Sequence, residues 1–344
     1  MSRMSPLPVA ELDEVVRSVG DWEPLRGARL FITGGTGFFG MWLLESLAHA
    51  NRALDLGLRA TVLTRDAATF HARAPHLLSE PFQWIEGDVR NFPFPDGSFS
   101  HVIHGATSTQ ANLYGDQPKE MLDTIVAGTQ RVLDFATLAG VKRLLFLSSG
   151  AVYGVQPSGI THLPEDFQGG PDPLDHLSVY AQGKRMAEHL CALHQKQHGI
   201  EIPIARGFAF VGPHLPLDAH FAIGNFISDV LAGRPIRLGG DGTPFRSYLY
   251  ASDLTAWLWT ILLKGSGARA YNVGSDDDLS ILDLAHRIAQ PRRLEIIQAK
   301  QAVPGSPPTR YVPSIERAKQ ELGLRVRVPL DEAIERTLRW HQAH

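Results

Sequence analysis

Hydrophobic positions along this chain alternate between two textures. Short runs rich in Val, Ile, Leu and Phe occur at Arg29–Thr33, 60–64, 83–86, His101–His104 and 143–148. Between them lie stretches with apolar residues at three- and four-residue spacing, such as Trp42, Leu43, Leu44 and Leu47, and a long pattern over 118–139. Short buried strands separated by helices predict a parallel sheet covered on both faces. Right-handed crossovers then predict a doubly wound α/β fold. A helical pattern over 178–198 and a strand over 202–207 continue the series. After Gly212-Pro213 the segments shorten and glycine and proline become frequent, with turns at 239–242 and a loop at 304–308. We expect residues 1–27 to form a helical extension, with Val9, Leu12, Val15, Val16 and Val19 on one face. Residues 28–207 would form a dinucleotide-binding Rossmann domain. Residues 208–344 would form mainly a smaller substrate-binding lobe, with some segments returning to the first domain.

Composition narrows the function classes. The 344 residues are 44% hydrophobic and 20% charged, ordinary for a globular protein, with a formal net charge of -3. No Lys/Arg run marks a nucleic-acid partner, and no apolar stretch is long enough to span a bilayer. Arg3, Glu11, Asp13 and Glu14 stand where a secretion signal would be apolar. The single cysteine, Cys191, excludes an internal disulfide and a cysteine-based zinc site. A cytoplasmic location fits. His194 and His198 share a helix face, but no third ligand accompanies them, so we expect a solvated face and no metal. No Gly-x-Ser-x-Gly elbow surrounds Ser148 or Ser149, which removes a serine hydrolase.

The first strand runs into Gly34-Gly35-Thr36-Gly37-Phe38-Phe39-Gly40. Gly-x-Gly-x-x-Gly spacing is a weak signal alone, but here it follows a strand and opens a helix. That context predicts a dinucleotide whose pyrophosphate sits at the helix N-terminus. The second strand ends Thr64-Arg65-Asp66. Arg65 would pair with the 2′-phosphate of NADP(H), and we favour that cofactor; Asp66 keeps NAD(H) open. Asp88, followed by Val89, would accept from the adenine amine, or else cap a turn.

Tyr180 and Lys184 stand i, i+4 on one helix face, and Ser148-Ser149 close the fifth strand. With the glycine turn, Ser148-Ser149-Gly150-Ala151-Val152-Tyr153-Gly154, Arg206-x-Phe208, Gly240-Asp241-Gly242, Arg246, Tyr250, Asp253 and Tyr271-Asn272-Val273-Gly274, the chain resembles the extended short-chain dehydrogenase/reductase family. The likeness is to its nucleotide-sugar epimerases, dehydratases and decarboxylases. It implies that Tyr180 is the acid/base, its phenol lowered from roughly 10 by the Lys184 cation and the nicotinamide cation. Lys184 would also bind the nicotinamide ribose, and Ser149 would hold the reacting oxygen. Gly105, Ala106 and Thr107 would lie beside the nicotinamide, with Thr107 also a sugar contact. Asn225 and Arg246 would grip the nucleotide and its diphosphate. A homodimer through the helices at 118–139 and 178–198 is implied as well.

Family dehydratases carry an Asp-Glu pair just after the catalytic hydroxyl residue, and decarboxylases keep the Glu. Here these positions are Gly150 and Ala151, which move no proton. The resemblance therefore implies C4 epimerisation or reduction of a 4-keto sugar. A dehydratase or decarboxylase with an atypical acid/base is the alternative, as is a catalytically silent dinucleotide-binding regulator. Ala209 and Ile125 stand where the family usually has Asn. Tyr153 suits packing, and His104 suits a backbone-contact role rather than proton transfer.

Overall fold

Alternation along the first strand, β1 (Arg29–Thr33), sets the architecture: Leu30 and Ile32 enter one hydrophobic core while Phe31 enters another. Period-two side chains can face two cores only when both sheet faces are covered. The computed structural model describes residues 3–78, 81–107, 117–217 and 221–344. Helix α1 (Val9–Val19) precedes β1, and α2 (Phe38–Ala53) follows it. Next come β2 (Arg59–Thr64), β3 (Phe82–Glu86), β4 (His101–His104), β5 (Arg143–Ser149) and β6 (Ile204–Gly207). The seven-stranded sheet runs Ala270–Val273, β6, β5, β4, β1, β2, β3. Every pairing in it is parallel. Strand order reverses between β1 and β4, the switch point where open α/β sheets bind ligands. Thr33, Thr64, His104 and Ser149 end their strands at that edge.

Helices Pro118–Leu138 and Val179–His198 cover the Phe31 face, where Phe92, Phe99 and Phe135 cluster around its ring. Helix α2 and helix Ala251–Lys264 cover the other face with Leu44, Leu47, Trp257 and Trp259. The connection from β3 to β4 is not helical, because Pro93, Pro95 and Gly97 interrupt it. The β6 ladder starts at Ile204, two residues later than its apolar run. A third core, built from Ile223, Phe226, Ile227, Leu284, Ile288, Ile334 and Leu338, belongs to the later elements. His194 departs from the expected solvated face. It is buried, and its Nε2 lies 2.7 Å from Thr137 Oγ1 on the neighbouring helix. Among the described residues no His, Cys, Asp and Glu group is placed to hold a metal, and no helix is long and apolar enough to cross a membrane.

The N-terminal helix clasps both parts of the molecule. Val15 and Val19 join the core beside α2, while Glu11 accepts a 2.7 Å hydrogen bond from the Tyr250 hydroxyl. Arg336 of the last helix, Leu330–Ala343, donates to both oxygens of Glu14. Burial raises the Glu11 carboxyl above its ordinary value of 4.5, against the hydrogen bond from Tyr250 and the pull of Arg336. A raised folded value means the group favours the fold most when protonated, below about pH 4.5, and loses that contribution as pH rises. Glu11→Gln is therefore expected to melt about 1–3 °C above wild type at pH 8, with the gap closing toward pH 4 in thermal unfolding followed by circular dichroism.

Candidate functional site

The glycine turn is shaped by contacts that admit no side chain. Gly34 has φ +78, and a Cβ there would lie 2.5 Å from the Gly105 carbonyl carbon. A Cβ on Gly40 would lie 2.3 Å from the Gly35 carbonyl, and one on Gly35 would lie 2.7 Å from Val62. Gly37 differs, for its nearest obstacle is Gly34 O at 3.8 Å, so its outer face is open. Gly37 also caps α2 without a side-chain hydrogen bond, leaving the helix's first N–H groups for an anion. A cradle of this shape fits a dinucleotide pyrophosphate approached by Thr36 and Gly37. The Phe39 ring packs edge-on against Phe210 at 5.0 Å and Phe38 packs beside it at 5.7 Å, so these two residues offer backbone to the cradle.

At the end of β2 the two competing side chains are separated. Asp66 caps the following short helix, accepting from Thr69 N at 2.8 Å. Arg65 is exposed and has no ion pair among the described residues. Asp88 accepts from the backbone and guanidinium of Arg90 (2.8 Å from N, 2.6 Å from Nη2), and Arg90 first holds its carboxyl below the usual range. Asp88 therefore closes the turn that follows the third strand. Val89 is buried against Gly128, where a Cβ would lie 2.7 Å from its Cγ1.

Strand β5 and helix Val179–His198 bring Ser149, Tyr180 and Lys184 together. Tyr180 is half-buried and its phenol is hydrogen-bonded to the Ser149 side chain. Burial raises its pKa and the Ser149 bond only partly offsets this, so the protein alone holds a neutral phenol, while the expected lowering also calls on the nicotinamide cation. Lys184 explains part of that result: its Nζ donates to Leu147 O at 2.8 Å and Thr107 Oγ1 at 2.9 Å, 5.9 Å from the phenol ring centre. Burial pushes the ammonium down to about 8. Gly105, Ala106 and Thr107 form the floor between this ammonium and the glycine turn.

Behind the site lies a charged network that sequence inspection passed over. Glu188 accepts from Ser148 Oγ (2.5 Å) and from Arg206 Nε (3.0 Å) and Nη2 (2.7 Å). Arg206 also lies over the Tyr153 ring, whose hydroxyl donates to Asn272 at 2.7 Å. Glu165 accepts from the Asn272 backbone at 2.9 Å. The spacing Lys184 to Glu188, one further helical turn on the same face, was the available signal. A cavity of about 330 Å³ beside Arg185, Glu188 and Arg206 has neither Ser149 nor Tyr180 in its lining.

In the later elements Arg246 is half-buried and donates to the Phe245 carbonyl at 2.7 Å. Among the described residues it has no carboxylate partner, and desolvation lowers its pKa, the condition of a guanidinium that awaits an anion. Asn225 lies on the exposed face of helix Ala222–Leu231. Tyr250 and Asp253 serve structure instead: Asp253 accepts from Arg327 N at 2.8 Å and Val328 N at 3.0 Å.

The pattern of the NAD dependent epimerase/dehydratase family matches residues 30–274, from β1 through the last sheet strand. The chain belongs to the NAD dependent epimerase/dehydratase family. It is 30% identical over 322 residues to a UDP-glucuronic acid decarboxylase of Arabidopsis thaliana, covering 90% of each. Its fold matches a UDP-glucose 4-epimerase of Thermotoga maritima, solved with UDP-glucose (TM-score 0.75, 19% identity, 92% of this chain and 99% of that one). It also matches a dTDP-glucose 4,6-dehydratase of Streptomyces venezuelae solved with NAD bound (TM-score 0.76, 22% identity, 92% and 97%).

Within this epimerase/dehydratase framework one local contact stands out. A Cβ on Gly150 would lie 2.7–2.8 Å from three carbons of the Phe208 ring. Phe208 in turn stacks on Tyr311 at 4.7 Å. The position after Ser149 thus has no room for a carboxylate, and Ala151 spends its N–H on Ser149 Oγ at 3.2 Å. Sequence reading found the missing acids but not the ring above them. Tyr180→Phe is expected to lower turnover roughly 10²–10⁴-fold while dinucleotide binding, followed by titration, stays within a few-fold of wild type.

Proposed function

We propose that this protein moves a hydride at C4 of a nucleoside-diphosphate sugar, as a C4 epimerase or a 4-keto-sugar reductase, and neither eliminates water nor releases carbon dioxide. The supporting observation is that Gly150 lies beneath the Phe208 ring and that Ala151, beside it, carries no acid. By the family resemblance, elimination of water calls on acids at both positions and loss of carbon dioxide on a Glu at the second, where this chain has Ala151. Residues 28–207 hold the cofactor and 208–344 mainly hold the sugar nucleotide. Tyr180 gives or takes the proton at the C4 oxygen, Ser149 hydrogen-bonds that oxygen, and Lys184 holds the ribose and favours phenolate. Arg246 neutralises the diphosphate, with Asn225 and Thr107 as further substrate contacts. A bound nicotinamide supplies the hydride acceptor and donor. The cytoplasm, where sugar nucleotides and reduced thiols coexist, suits this chemistry.

The reductase form is favoured by one observation: Asp66 is committed to a helix cap while Arg65 is free for a 2′-phosphate. Arg65→Ala is expected to raise KM for NADPH about tenfold and leave KM for NADH nearly unchanged in steady-state kinetics. A homodimer is supported by exposed Leu122, Met186 and Leu193 on the two helices of the Phe31 face. Light scattering is expected to report twice the mass of one chain. The reaction itself is tested by NMR of products from UDP-glucose, UDP-glucuronic acid and a 4-keto sugar nucleotide. C4 epimers or reduced 4-keto sugar are expected; pentose with released carbon dioxide would refute the proposal.

A further inference from the structure

Three hydroxyls and one imidazole connect the elements that flank the Lys184 ammonium. His104, the last residue of β4, is fully buried, with Nδ1 2.8 Å from Thr33 Oγ1 and Nε2 3.0 Å from Thr129 Oγ1. Thr129 donates its own proton to Ile125 O at 2.6 Å, so it can only accept from His104, which places the ring proton on Nε2. Nδ1 is then an acceptor, and the Thr33 hydroxyl donates to it. The lone pairs of Thr33 Oγ1 receive Gly105 N and Ala106 N, each at 3.2 Å. Thr107 donates to Ala106 O at 2.8 Å, which leaves its oxygen to accept from Lys184 Nζ at 2.9 Å. Every proton in this series has one permitted direction.

We infer that His104 is a positioning residue, a neutral Nε2–H imidazole that orients Thr33 and thereby holds the 105–107 turn where Thr107 can fix the Lys184 ammonium. The inference rests on the reading of Lys184 as part of the hydride-transfer site. The tautomer is chosen by Thr129 on one side and Thr33 on the other. The charge acting on the ring is Lys184, and the Phe146 ring packs against it at 5.6 Å. Burial first, and the nearby ammonium second, push the imidazole down to about 3, so it stays neutral throughout the range in which the enzyme folds. Pinning the turn also secures the approach of Gly34 to Gly105, so the device serves the pyrophosphate cradle and the ammonium together.

The two arms can be separated by substitution. In His104→Asn the amide oxygen falls where Nδ1 was and accepts from Thr33. In His104→Gln the amide nitrogen falls where Nε2 was and donates to Thr129, leaving Thr33 without its acceptor. His104→Leu removes both. We expect Leu and Gln to weaken dinucleotide binding at least tenfold and to lower kcat. Asn should restore most of both losses, although thermal unfolding shows Asn and Gln destabilised alike. Equal losses in Asn and Gln, following their melting temperatures, would reduce His104 to a packing residue. Independently, ¹⁵N NMR of histidine-labelled wild-type protein is expected to show the Nε2–H tautomer unchanged from about pH 5 to 8; an Nδ1–H or charged ring would overturn the assignment. Binding and NMR are read without turnover, so they decide His104 even if no sugar nucleotide proves to be a substrate.

Discussion

The governing constraint in the molecule is the backbone of Gly34 lying against that of Gly105. Strand β1 must turn sharply as it leaves the sheet, and strand β4 must turn beside it, with no side chain between them. That approach places the start of α2, the 105–107 turn and the Lys184 anchor in one small volume. The parallel register that pairs Thr33 with His104 delivers the two turns to the same level. Shifting either strand by one residue would send Thr33 and His104 to opposite faces. The glycine cradle and the Lys184 anchor, the proposed cofactor and proton-transfer sites, are thus two consequences of one strand pairing.

The molecule also buries charge around this centre. Lys184 sits behind the reacting groups with two carbonyl and hydroxyl partners, and Glu188 with Arg206 sits one layer deeper. Desolvating such groups costs several kcal/mol each unless hydrogen bonds take the place of water. In both cases the bonds are present and directional, which leaves few alternative arrangements. The same holds at the rim, where Glu45 accepts from Leu7 N at 2.7 Å and from His76 at 3.1 Å. These pairs fix orientation more than they add stability.

Much of this was readable in the sequence, because it depends on neighbours along the chain. Runs of β-branched residues marked the strands, and the glycine spacing marked the turn. A four-residue interval was enough to put Tyr180 and Lys184 on one helical face. What escaped notice joins distant segments. Phe208 meets Gly150 only because β5 and β6 are adjacent in register, and Glu165 reaches Asn272 from a loop with no regular pattern. His194 looked solvated because a polar residue on a helix usually is; Thr137 on the adjacent helix supplied a partner that periodicity does not reveal. The neutral Tyr180 phenol was likewise hidden, since it depends on how far the fold buries that side chain.

The ring over Gly150 also bears on how this chain relates to its relatives through mutation. A carboxylate at that position would collide with an aromatic side chain that is itself braced by Tyr311. A carboxylate at 150 therefore needs a change at Phe208 as well. Phe208 must shrink first, and that step alone opens a void between two aromatic rings with nothing to fill it. That barrier belongs to position 150 alone; an acid at 151 is a separate change. A lineage that has settled on one side of that barrier tends to stay there.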